Sequence, residues 1–106
     1  MHWTAYFFGG VFLTNAIPHW VSALMGRPFQ TPFAKPSGKG LSSSVVNALW
    51  GVFNLVVAWW LVLRVGTFDL RDPAHAAALG LGVLLMSIMT AWNFGKLHGG
   101  DLARPS

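Results

Sequence analysis

Leu55-Val56-Val57-Ala58-Trp59-Trp60-Leu61-Val62-Leu63 is nine apolar residues without a break. A helix of a soluble bundle turns a polar residue outward every few positions, so this run reads as a helix that is greasy on all sides. It closes a window, Gly40 to Leu63, in which 24 consecutive residues carry no charge. Two more such windows flank it: residues 1–26, before the first charged side chain at Arg27, and the 23 residues from Pro73 to Gly95. A helix needs about 20 apolar residues to cross a ~30 Å hydrocarbon core. The spacing of charge therefore predicts an all-α chain, a three-helix transmembrane bundle with a Pro-rich first loop. Residues 1–106 form a single integral membrane domain, with spans near 3–25, 44–66 and 76–97, loops at 26–43 and 67–75, and a tail at 98–106.

Composition agrees. Hydrophobic residues make up 54% of the chain and charged residues 9%, against about 25% charged in an ordinary soluble domain. With no Cys, a disulfide-stapled domain and a Cys-ligated metal are excluded, and so little charge is foreign to a disordered tail or an ordinary soluble enzyme. Outer-membrane strands alternate with period two over about ten residues, which these segments do not. The first segment lacks a basic leader and a small-residue cleavage pattern, so it is expected to stay as an anchor.

Lys and Arg are retained on the cytoplasmic side of a membrane. The first loop and tail hold Arg27, Lys35, Lys39, Lys96 and Arg104, and the other side holds Arg64 and Arg71. The expected orientation is N-terminus outside and C-terminus cytoplasmic. Trp3 and Trp20, Trp59 and Trp60, and Trp92 fall near span ends, where indoles favour the headgroup level. Trp50 falls deeper and reads as a packing residue.

The first loop carries prolines at 28, 32 and 36, each lacking a backbone donor and fixing φ, so an extended or turning path is expected. Phe29 and Phe33 interleave with Arg27, Lys35 and Lys39. That mixture suits contact with the membrane surface, rings inward and cations toward lipid phosphate. Gly38-Lys39-Gly40 lacks the strand-to-helix setting of a phosphate loop, and neither nucleotide nor nucleic-acid binding is expected. Ser42, Ser43 and Ser44 can start helix two. Asp72 before Pro73 is the expected cap of helix three, and His98-Gly99-Gly100 its stop.

The polar residues inside the spans need partners. Asn15 and His19 share one face of helix one, with Pro18 between them removing the N–H that would reach the Thr14 carbonyl and bending the helix. Asn47, Gly51, Asn54 and Ala58 form one stripe on helix two. On helix three, Ala76 and Gly80, then Ser87, Ala91 and Gly95, form a small-residue stripe, with Thr90 and Asn93 beside it. Amides and small residues on such stripes hold transmembrane helices together. Asn15, His19, Asn47, Asn54 and Asn93 are therefore the candidate ligand or polar-cluster residues, with a His19–Asn47 hydrogen bond as the sharpest expectation. No Asp or Glu falls inside a span, which argues against a proton-coupled pump. No catalytic set, metal site or cofactor is expected.

The segments Asn15-Ala-Ile-Pro-His-Trp20, Gly26-Arg-Pro-Phe-Gln-Thr-Pro-Phe33, Gly40-Leu-Ser-Ser43 and Asn47-Ala-Leu-Trp-Gly-Val-Phe-Asn54 resemble a family of small bacterial multi-pass inner-membrane proteins with no assigned activity. The resemblance implies a bacterial inner membrane and no mechanism. The residues themselves point to an accessory or structural subunit whose partners are the bilayer and a membrane protein or a second copy. A small-molecule or ion-binding protein built on the Asn/His face is the alternative, and haem or pigment binding through His a weaker one.

Overall fold

The computed structural model describes residues 2–100. Arg104 and the tail beyond Gly100 lie outside them. Three helices carry the chain: α1 (Trp3–Leu24), α2 (Ser44–Leu63) and α3 (Pro73–His98). The first loop is not helical, and holds a two-residue strand β1 (Phe29–Gln30) paired antiparallel with β2 (Leu41–Ser42).

The helix ends follow local chemistry. α1 runs through Pro18 and stops at Gly26, whose positive φ of 72° lets its N–H reach the Ala23 carbonyl while Arg27 N–H reaches that of Ser22, a Schellman ending. Of the three serines, Ser43 caps α2, its hydroxyl accepting from Val46 N–H at 3.2 Å. α2 stops at Leu63, three residues short of the expected Gly66, because Arg64 and Val65 turn away. α3 starts at Pro73, three residues before the expected Ala76, because Asp72 caps it by accepting from Ala74 N–H at 2.8 Å. Gly99, left-handed at φ 78°, ends it.

α1 is the middle element. It packs on α2 and on α3, while α2 and α3 share no packed interface. The principal extents are 40 × 36 × 22 Å. The three expected helices thus pack as a flat row with α1 between α2 and α3. Glycines set the crossings. A Cβ on Gly10 would strike the Leu79 carbonyl, and one on Gly82 the Phe7 carbonyl, so α1 and α3 cross backbone to backbone. Gly9 meets Ala58 and Val62 of α2, and Gly51 meets Trp20.

This crossing corrects the packing face expected on α3. Gly82 is its one buried residue, whereas a Cβ on Gly80 would meet nothing within 4 Å. The Gly80 stripe faces outward. The periodicity of small residues marked a real face of α3, but closest approach needs a glycine where backbones meet, and Gly82 falls off that stripe.

The inside of the molecule is more polar than the outside. The buried apolar side chains are Tyr6, Ala16 and Ala58; the buried polar ones are His19, Gln30, Thr31, Asn47 and Asn54. Large apolar side chains along all three helices are exposed, among them Phe8, Leu49, Val56, Trp59, Leu84 and Ile88. Among the described residues α2 and α3 are long and apolar enough to cross a membrane; α1 carries Gly9, Gly10, Asn15, Pro18 and His19 along its length.

Candidate functional site

The antiparallel contact of α1 and α2 brings four of the five cluster candidates together in two hydrogen-bonded pairs. Asn15 Nδ2 donates to Asn54 Oδ1 at 3.1 Å. One turn on, His19 Nδ1 and Asn47 Oδ1 are 2.9 Å apart. Asn47 and Asn54 are fully buried, at 0% exposure. Asn54 Nδ2 turns back to the Trp50 carbonyl at 2.7 Å, so neither amide is stranded.

Asn47 is the junction. Its Nδ2 faces three carbonyls, Phe29 and Ser42 at 3.1 Å and Ser43 at 3.0 Å. That fixes Nδ2 as the donor end and Oδ1 as the acceptor, so His19 Nδ1 carries the hydrogen. In a neutral ring Nε2 then holds the lone pair. One side chain thus ties α1, the start of α2 and both strands of the first loop. His19 stands edge-on to Phe29, Trp50 and Phe94, with centroids 5.4, 6.4 and 6.2 Å away.

The first loop folds into this end of the row. Gln30 and Thr31 are buried. Thr31 Oγ1 pairs with Ser42 Oγ, and Gln30 Oε1 lies 2.7 Å from His98 Nε2 at the end of α3. Phe29 stacks on His98 at 5.1 Å and meets Phe94 at 4.7 Å. Phe29, expected at the membrane surface, is half-buried and packs in the loop–helix contact, its strand facing the α1–α3 junction. Arg27, Phe33, Lys35 and Lys39 are exposed. Gln30 and Thr31 went unforeseen; their partners are Ser42, eleven residues away from Thr31, and His98, beyond any local pattern.

Asn93 is not in the cluster. It is exposed and lines an open cleft of about 380 Å³ along α3 with Asn15, Met86, Met89 and Thr90. Thr90 Oγ1 is, among the described residues, the one buried side-chain polar atom with no hydrogen-bond partner.

The opposite end carries a second contact. Tyr6, 1% exposed, meets Phe68 and His75 with ring centroids 4.9 Å away in each case. His75 Nδ1 accepts from Asp69 N–H at 3.0 Å, and its Nε2 lies 3.6 Å from Asp72 Oδ2. This pins the second loop onto α1. Among the described residues no three His, Asp or Glu side chains are placed to hold a metal ion. His19 and His98 both pack on Phe29 and Phe94, and each has a ring nitrogen committed to an amide oxygen. Among the described residues the arrangement offers hydrogen bonding and packing.

Comparison with models of protein families, with curated proteins and with solved structures gives no match for the chain.

Proposed function

We propose that the chain is a multi-pass integral membrane protein that acts as an accessory or structural subunit, presenting the open faces of α2 and α3 to a partner membrane protein or a second copy. The observation that carries this is the inversion of polarity. Among the described residues five polar side chains are buried against three apolar ones, and the outer surface is lined with Leu, Val, Phe and Trp. A monomer in water rarely exposes a contiguous apolar patch beyond a few hundred Å², and here large apolar side chains stand exposed along all three helices. In lipid it is the ordinary arrangement, with polar groups satisfied inside. The reading includes a bacterial inner membrane, in line with the resemblance noted in the sequence, and a cytoplasmic first loop, supported by the five-to-two distribution of Lys and Arg.

The packing role rests on α3. A 26-residue helix with one buried residue and an open small-residue stripe through Gly80 leaves room for another helix at close approach. The chain has no native cysteine, so single cysteines report cleanly. Gly80→Cys, Ser87→Cys and Ala91→Cys are expected to crosslink to a partner in native membranes, and Ser22→Cys on α1 much less. Resistance to carbonate extraction tests the membrane placement. A protein that purifies as a lone monomer, with no crosslink from any α3 position, overturns the subunit role.

A second reading, a small polar ligand held in the cleft of Asn15, Thr90 and Asn93, is favoured by the unpartnered Thr90 hydroxyl. It predicts a ligand-dependent rise in thermal stability that Thr90→Val abolishes.

A further inference from the structure

The first loop presents cations and an apolar groove side by side. Phe33, 63% exposed, leans on Trp50 edge to face at 4.9 Å, and Trp50 stacks on Phe53 at 5.6 Å. With Val46 and Leu49 these rings line a groove of about 530 Å³ running along the first turns of α2. Two residues beyond Phe33, the loop closes into a tight turn. Lys39 N–H and Gly40 N–H both reach the Pro36 carbonyl, at 3.0 and 2.7 Å, and Gly40 packs on the Lys35 backbone. Lys35 and Lys39 therefore leave the two flanks of one turn. Among the described residues the only acid–base contact is His75–Asp72, on the opposite loop, so Arg27, Lys35 and Lys39 meet no acid. The turn is held in place: Ser37 Oγ donates to the Pro32 carbonyl at 2.9 Å, and Gly38 N–H to that of Thr31 at 2.9 Å.

We propose that this turn and groove bind one phospholipid with an anionic headgroup, its phosphate held by the Lys35 and Lys39 ammonium groups and one acyl chain laid under Phe33 along α2. An apolar groove beside a pair of cations that meet no acid among the described residues matches the two ends of that molecule. A peptide helix would fill the groove but leave the cations unused. A soluble anion would use the cations but not the groove. The inference rests on the membrane placement proposed above.

The test is native mass spectrometry of the full chain released from nanodiscs of phosphatidylcholine containing a minority of phosphatidylglycerol with matched chains. The wild type is expected to keep one phosphatidylglycerol in preference to phosphatidylcholine. Lys35→Gln with Lys39→Gln should lower that preference about fivefold for each charge removed. Phe33→Ala should weaken retention of both lipids. Arg64→Gln with Arg71→Gln, on the other loop, should leave it unchanged. Equal retention of the two lipids by the wild type overturns the site, whatever the variants do. So does an equal loss on removing Arg64 and Arg71, which would show diffuse charge attraction. Carbonate extraction of the same wild-type preparation separates the two readings: an extractable chain ends the membrane placement, whereas an embedded chain with no lipid preference ends the lipid site alone.

Discussion

Replacing Asn47 with Leu removes a junction rather than a single bond. The wild-type side chain shares its two amide hydrogens among three carbonyls, and its Oδ1 accepts one from His19. Ser43 O keeps another partner, since the backbone N–H of residue 47 reaches it at 3.0 Å. The main damage is the His19 N–H, which loses its acceptor while 3% exposed. A stranded buried donor costs about 1–3 kcal/mol, and an interhelical polar contact in a membrane averages ~0.6 kcal/mol. Asn47→Leu is therefore expected to destabilise by about 2–3 kcal/mol, loop detachment included. His19→Leu alone removes donor and acceptor mismatch from one side and should cost about 1 kcal/mol. The double variant leaves no stranded N–H, so it should cost less than the sum by about 1 kcal/mol, within the range of measured interhelical couplings. Reversible unfolding in mixed micelles measures all four species. Additivity within ~0.3–0.5 kcal/mol, or an Asn47→Leu effect below that range, would show that the pair is not coupled and that the junction holds nothing.

Three further outcomes are expected. Gly82→Ala should destabilise by about 1–3 kcal/mol, because the new Cβ meets the Phe7 carbonyl in a crossing that cannot widen locally, while Gly80→Ala, facing open space, should gain up to ~1 kcal/mol of helix propensity; thermal unfolding in detergent separates them. Ser43→Ala should cost about 1 kcal/mol through the lost cap, whereas Ser44→Ala, whose hydroxyl caps nothing, should be nearly silent in the same assay. A phosphatase fused after Ser106 should be inactive and a cytoplasmic reporter active, with Lys35→Gln and Lys39→Gln together weakening that bias; an active phosphatase on the unmodified chain reverses the orientation.

The three helices were legible because charge is expensive to bury in hydrocarbon, so its absence over more than twenty residues is informative by itself. The polar pairs were legible for a related reason. Asn15 and His19, four apart, and Asn47 and Asn54, seven apart, each occupy one helical face, and antiparallel neighbours joined by a loop must meet. What the sequence did not disclose depends on how backbones cross. Gly9 and Gly10 stand adjacent in α1 and point to opposite neighbours, one to α2 and one to α3. A doubled glycine inside an apolar helix allows close approach on two sides at once, whereas the regular stripe through Gly80 signals only one smooth face. Likewise Gln30, read only as part of a Pro-rich loop, is buried because it lies 2.7 Å from His98, a pairing across 68 positions that no local pattern encodes.

The flat row has a consequence for traffic. Three helices packed around a common axis enclose a seam that substitution could hollow into a passage. Among the described residues, a row with α1 in the middle and α2 and α3 on its two flanks, 22 Å through its thin direction, has no such seam. What the chain offers to its surroundings is thus two flanks rather than a centre.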